Sequence, residues 1–179
     1  DALLDALGES TTIICPASPE HGRTMYSGHL FVGDRLLSES SMRHHPLTPM
    51  TDPDIVRVLA RQTSGRVAGL PLAVLDGGPA AVEAALEEHR AAGVRHVVTD
   101  AVTDADLRVL AEGTGSVRLL TGGAGLAGAL GGVLAHAAGA APPPAALPDG
   151  PAVVLAGSCS AATLCLFYTS PSPRDLSTS

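Results

Sequence analysis

Apolar residues recur along this chain in two alternating rhythms. Short runs such as Thr11–Cys15 (TTIIC), Arg66–Leu70, His96–Thr99 (HVVT) and Val117–Leu120 read as buried strands. Longer stretches between them carry apolar positions at helical spacing. Residues 1–8 read as the end of a helix stopped by Gly8. Asp52 and Pro53 predict the next start, Asp52 as N-cap and Pro53 in the first turn, with Ile55, Val56 and Leu59 inward. Leu72–Leu75, beyond Pro71, reads as another strand-like run. Pro79 opens a helix over 80–92 that Gly93 closes, with Val82, Ala85, Leu86 and His89 as its inner stripe. Thr103 caps a further helix, with Asp106 placed as in a capping box and Leu107 and Leu110 inward. Leu126–Ala138 predicts an apolar helix weakened by Gly128, Gly131 and Gly132. This alternation, with right-handed crossovers, predicts an α/β fold: a three-layer, mostly parallel sheet over residues 1–138.

Some stretches break the rhythm. Met25–Ser40 (MYSGHLFVGDRLLSES) holds two apolar runs around Gly33-Asp34 and predicts a projecting β-hairpin, with strands near 25–32 and 35–39. Residues 41–52 read as an ordered loop. Residues 139–151 (GAAPPPAALPDGP) form a proline-rich linker. Residues 152–163 then read as the truncated start of a second α/β domain, with a strand at 152–156 leading into GSCSAAT. The tail at 164–179 (LCLFYTSPSPRDLSTS) abandons the Ala/Leu/Val style. It reads either as a non-native appendage, such as translated vector read-through, or as a natural disordered terminus. The opening DALLDALGES has no Met and no signal-peptide pattern, so a fragment is expected.

Composition narrows the function. The apolar fraction of 45% supports a packed core, but no run approaches the length of a membrane span. The net charge is −7, and all 11 basic residues are arginines. No basic stripe for nucleic acid is visible, and without lysine neither a phosphate-loop lysine nor a Schiff base exists within this chain. Three unpatterned cysteines, Cys15, Cys159 and Cys165, suggest a reducing cytoplasm rather than disulfides or a zinc site.

The site-grade chemistry gathers in Gly22–Asp52. Arg23, His29, Arg43, His44 and His45 could form a metal site, an acid–base site or an anion site. His44 and His45 are adjacent and point apart, so a cationic Arg/His pocket for a small anion fits better than a metal site. The plainer reading has His44 or His45 pinning the loop, and Thr48–Asp52 as a helix entrance. Thr121–Gly128 (TGGAGLAG) spaces Gly123, Gly125 and Gly128 as G-x-G-x-x-G. A dinucleotide site would want an acidic residue about 20 positions on, where the proline linker lies. A tight strand-to-helix turn, or an anion seat at a helix N-terminus, remain the other readings. Ser158, in GSCS, is either a phosphate contact or an ordinary cap.

Taken together, residues 15–59 (CPASPEHGRTMYSGHLFVGDRLLSES through HHPLTPMTDPDIVRVL) resemble the four-carbon acid sugar kinase family, and within it the 3-oxo-tetronate kinases. HVVTDAVTDADL, TGGAGLA and LAGSCSAAT follow in that family's order, so the resemblance spans essentially residues 1–163. It implies an ATP- and Mg2+-dependent transfer of phosphate to the terminal hydroxyl of a four-carbon sugar acid. It further implies an N-terminal domain that chiefly holds the sugar acid, a C-terminal domain that chiefly holds the nucleotide, and room for a homo-oligomer. Carried over by position, Arg23, His29, Arg43, His44, His45, Asp52, Thr121, Gly122 and Gly123 are substrate-side candidates, and Ser158 is a nucleotide contact. The family's acidic motif and its second-domain glycine loops are absent from these residues, and Ala124 stands where the family usually has Ser. The chain alone is therefore expected to be inactive. A stand-alone sugar-acid-binding module and, more distantly, a dinucleotide-dependent oxidoreductase are the competing readings.

Overall fold

A computed structural model of the chain describes residues 1–45, 47–138, 163, 165, 168 and 169. The chain divides into two compact units, Asp1–Ala141 and Pro142–Ser179. Residues 163, 165, 168 and 169 of the second are helical. The predicted linker, the strand at 152–156, Ser158 and most of the tail lie outside the described residues.

In chain order the first unit runs α1 (Ala2–Leu7), β1 (Thr12–Cys15), β2 (Arg23–Tyr26), β3 (His29–Val32), β4 (Arg35–Leu36), α2 (Ile55–Ala60), β5 (Arg66–Leu70), α3 (Leu72–Leu75), α4 (Pro79–Ala91), β6 (Val94–Thr99), α5 (Asp104–Gly113), β7 (Leu120–Gly122) and α6 (Ala124–Ala138). Four strands form one parallel sheet in the order β5-β6-β1-β7. The path from β1 to β5 moves one way across the sheet, and the paths to β6 and β7 move the other way. Right-handed crossovers then put α2 on one face and α4 and α5 on the opposite face. The packing agrees: α5 lies between α4 and α6, while α2 lies on β5 and β3. Consecutive Val97 and Val98 are both buried, as a strand covered on both faces requires. Ile13, Leu70, Leu86, Leu107 and Leu110 fill the layers between.

Local chemistry sets the element ends. The amide of Gly8 donates to the Asp5 carbonyl and that of Glu9 to Leu4, closing α1. Thr103 and Asp106 make the reciprocal capping box of α5, a feature worth about 0.5–2 kcal/mol.

Five expectations need correction. The run 25–32 is two strands, because Ser27 (φ 50°) and Gly28 (φ 75°) make a tight two-residue turn between β2 and β3. With β4 they form a three-stranded antiparallel sheet, and the second turn is the expected Gly33-Asp34. Residues 37–39 are a 3-10 turn that buries Leu37, not a strand. Leu72–Leu75 is one helical turn rather than a strand. The last strand slides to 120–122, because Val117 is held by Thr114 in the turn that ends α5. The cap of α2 is Asp54, which accepts from the Arg57 amide at 2.9 Å; Asp52 is not the cap.

The antiparallel sheet is joined to the end of β6 rather than standing clear as an arm. Met25 and Ala101 exchange backbone hydrogen bonds of 2.8 and 3.1 Å, and Met25 and Leu30 are buried.

Candidate functional site

All four parallel strands finish at one edge of the sheet: β1 at Cys15, β5 at Leu70, β6 at Thr99 and β7 at Gly122. In open α/β sheets ligands bind outside these carboxyl ends. Immediately after β6, Asp100 is buried and accepts three backbone N–H groups: Ser27 at 2.7 Å, Gly28 at 2.9 Å and Leu72 at 3.2 Å. A cavity of about 150 Å3 opens between the Ser27–Gly28 turn, Gly69, Leu70, Pro71 and the Asp100 carboxylate.

A second group lies at the β7–α6 junction. Glycine there permits close approach. A Cβ on Gly125 would come within 2.7 Å of the Ala17 carbonyl and 2.9 Å of Ser18 Cα. A Cβ on Gly122 would meet the Cys15 carbonyl at 2.7 Å. These two glycines press the start of α6 against the Cys15–Ser18 loop. Thr121, Gly122 and Gly123 are exposed there. Ser18 in turn pairs with Arg23 through backbone bonds of 2.8 and 3.1 Å. Ser18 thus links the Arg23 backbone to the segment against which Gly125 packs. The side chains of the other described arginines, except Arg108, each bond a carboxylate or a backbone carbonyl; Arg23 is exposed and its side chain has no such partner.

His29 and Asp52 belong to a third group. The His29 backbone bridges Asp54, and its Nδ1 meets the Ser27 carbonyl at 2.8 Å. Asp52 is already engaged. It accepts from Arg57 Nε at 2.8 Å and from Arg61 at 3.1 Å, and it accepts from the Asp54 amide. The Arg57 hydrogen bond above all holds its carboxyl well below the usual carboxylate range.

Arg43, His44 and His45 are apart from all three groups in their bonding. Arg43 donates to the Ser38 carbonyl at 3.2 Å. His45 Nδ1 accepts from the Thr48 amide at 3.1 Å, which pins the loop. His44 is exposed. Among the described residues no group of three or more His, Cys, Asp or Glu is arranged to hold a metal ion.

Two buried polar groups lie nearby. Burial pushes the Cys15 thiol up, which makes it a poor nucleophile. Thr99 Oγ1 is buried without an oxygen or nitrogen partner, next to that thiol.

Asp100, Ser27, Gly28 and Asp54 were not among the sequence candidates. The available signal for Asp100 was an acidic residue directly after the apolar HVVT strand, at the sheet edge where loops gather.

The chain is similar to several known proteins. The family model described as a sugar-binding N-terminal domain matches residues 1–130. A 3-oxo-tetronate kinase of Burkholderia multivorans is 52% identical over 167 residues, covering 91% of this chain and 39% of its own length. The chain spans about two fifths of the length of the curated relatives it matches. The crystal structure of Haemophilus influenzae protein HI1011 superposes with a TM-score of 0.74 at 43% identity, covering 76% of this chain and 33% of that one. A Bordetella bronchiseptica domain, solved with bound citrate as a domain-swapped dimer, gives a TM-score of 0.58 at 33% identity, covering 74% and 32%.

Proposed function

This chain belongs to the family of sugar-binding N-terminal domains, and from that premise we propose that it is the sugar-acid-binding part of an ATP-dependent four-carbon acid sugar kinase. The substrate in this reading is a 3-oxo-tetronate, phosphorylated on its terminal hydroxyl. The observation that carries the reading is the high identity to relatives named 3-oxo-tetronate kinase, 52% for the one from Burkholderia multivorans.

The chemistry of the carboxyl edge supports it. The protein is acidic overall, with net charge −7, so an anionic ligand needs a local cation. Arg23 supplies one with no competing partner. A planar guanidinium matches a carboxylate bidentately, and the exposed Gly123–Ala124 start of α6 adds N–H donors. In this proposal the sugar-acid carboxylate lies against Arg23 and the 121–125 turn. His29 and the 43–52 loop bound the rest of the molecule. Asp52 is spent on Arg57 and Arg61, so its part is to hold that loop. Citrate in the Bordetella relative is a hydroxy acid too, which suits a site of this kind.

Phosphoryl transfer is mostly positioning plus charge stabilisation. Among the described residues no group of three or more His, Cys, Asp or Glu is arranged to hold Mg2+. We assign ATP and Mg2+ to residues beyond the described ones, Ser158 among them, in a domain following a linker at 139–151. A cytoplasmic enzyme, with room for self-association, completes the proposal; no helix among the described residues is long and apolar enough to cross a membrane. The test is ATP-dependent phosphorylation of 3-oxo-tetronate by the full-length protein carrying this chain. Sugar-acid binding without phosphate transfer would instead make it a binding module, and turnover of a nicotinamide cofactor would make it an oxidoreductase.

A further inference from the structure

We propose that Asp100 is a positioning residue of this site, latching the Ser27–Gly28 turn to the ends of β5 and β6 and so fixing the wall against which the sugar acid sits. The inference rests on reading the carboxyl edge of the sheet as the sugar-acid site.

The geometry is that of a hub. Asp100 is 2% exposed, and no cation among the described residues pairs with it. Its charge is met by three amides from two distant segments: Ser27 and Gly28, 73 and 72 residues away, and Leu72, 28 residues away. Its own amide donates to Leu70 at 3.0 Å, closing the strand end it follows. Successive amides in left-handed conformation make a concave anion seat. Here the anion in the Ser27–Gly28 seat is the protein's own carboxylate. Ser27, at φ 50°, is the one described non-glycine residue with positive φ. Such a conformation persists where the surroundings over-determine it, and Asp100 does that here.

The turn passes this placement on. Gly28 accepts from the Ile55 amide at 2.9 Å, and Leu30 donates to Pro53 at 2.9 Å. His29 and the exit of the 43–52 loop are thus registered to Asp100 through the turn. The roughly 150 Å3 cavity exists because the turn is held off Leu70 and Pro71 at this distance. An asparagine at 100 replaces one acceptor oxygen by an N–H2 group that faces backbone donors.

The test compares Asp100→Asn with Leu110→Ala in the full-length protein. The second variant destabilises the core beneath α5, away from the site. We expect Asp100→Asn to raise the KM for 3-oxo-tetronate by about tenfold or more, with the KM for ATP unchanged, and Leu110→Ala to leave both unchanged. A folded Asp100→Asn with wild-type KM overturns the proposal, as do parallel rises in both constants in both variants. If Asp100→Asn does not fold, Gly28→Ala replaces it. Its Cβ would lie 3.2 Å from Val56 Cγ2 at φ 75°, distorting the turn with Asp100 intact, and the same split is expected. Hydrogen exchange in the ligand-free protein separates the latch from the site reading. A wild type that turns over no tetronate overturns the reading. The latch itself still stands if the Ser27, Gly28 and Leu72 amides exchange faster in Asp100→Asn, and it falls if they do not.

Discussion

A buried titratable residue lies near the start of strand β6 and another just past its end, and the two are used differently. Toward its start, His96 meets side chains: Asp1 at 2.8 Å and Thr63 at 3.1 Å, with Arg95 tying Asp1 and Asp5 nearby. Just past its other end, Asp100 meets backbone amides of segments that belong to other elements. Side chains that satisfy one another close off a surface and contribute stability. A carboxylate that gathers backbone amides shapes a crevice. In parallel sheets stability concerns the amino edge, and ligands the carboxyl edge; this one strand displays both.

The largest expected effect breaks the Asp100 end. Asp100→Ala removes the acceptor of three part-buried amides, each costing about 1–3 kcal/mol where water does not replace it, so stability should fall by roughly 3 kcal/mol or more in urea titration. A loss under about 1 kcal/mol would mean that water or a shifted turn satisfies those amides.

Next is Arg23. A charge-assisted contact is worth about 1.5–3 kcal/mol, so Arg23→Ala should weaken 3-oxo-tetronate binding by roughly tenfold to a hundredfold without lowering the melting temperature. Arg90→Ala is the control, since Arg90 pairs with Glu87 on α4. Arg108 is a poorer control than its exposed helical position implies, because it lines a hollow with Ala124 and Gly125. Equal effects at Arg23 and Arg90 would remove Arg23 from the site.

The amino end sharpens the comparison through pH. Burial foremost, with Arg95 adding to it, holds His96 below the ordinary imidazole value. A folded-state value below the unfolded one means that the contribution is complete above the unfolded value, about 6.5. It is lost as pH falls through the depressed folded value. The urea midpoint should therefore drop between pH 7 and pH 5, and His96→Gln should drop less. An identical slope in the variant would assign the effect elsewhere.

The smallest effect concerns Asp52. Its carboxyl is held low by Arg57, so its contribution is present above the unfolded value near ~3.9 and disappears as pH falls further. The pair is exposed on the Arg57 side, so salt should screen it. Asp52→Asn should cost little stability and weaken its salt dependence; unchanged salt dependence would argue against the ion pair.

Much of the scaffold is readable from local patterns because its causes are local. Gly8, Pro79 and the Thr103/Asp106 pair each set an element end within four residues. The sheet members follow from apolar runs. The errors arise where distant partners decide. Ser-Gly is a weak hairpin signal, and Asp100 completes that turn from 73 residues away. Two aspartates flank Pro53, and only the folded arrangement spends one on arginines and the other on the cap. Arg23 and the Thr121–Gly125 turn stand out in the chain, but the backbone link between them runs through Ser18, an ordinary loop residue.

The most direct measurement of the central claim asks which end of β6 senses the ligand. Backbone amide NMR shifts are followed while 3-oxo-tetronate is titrated into the labelled full-length protein. Shifts at Arg23, Ser27, Gly28, Ala101, Gly123 and Ala124, with Thr63, Arg95 and His96 still, are the result this account predicts. Shifts centred on Thr63, Arg95 and His96, with the carboxyl edge still, would contradict it.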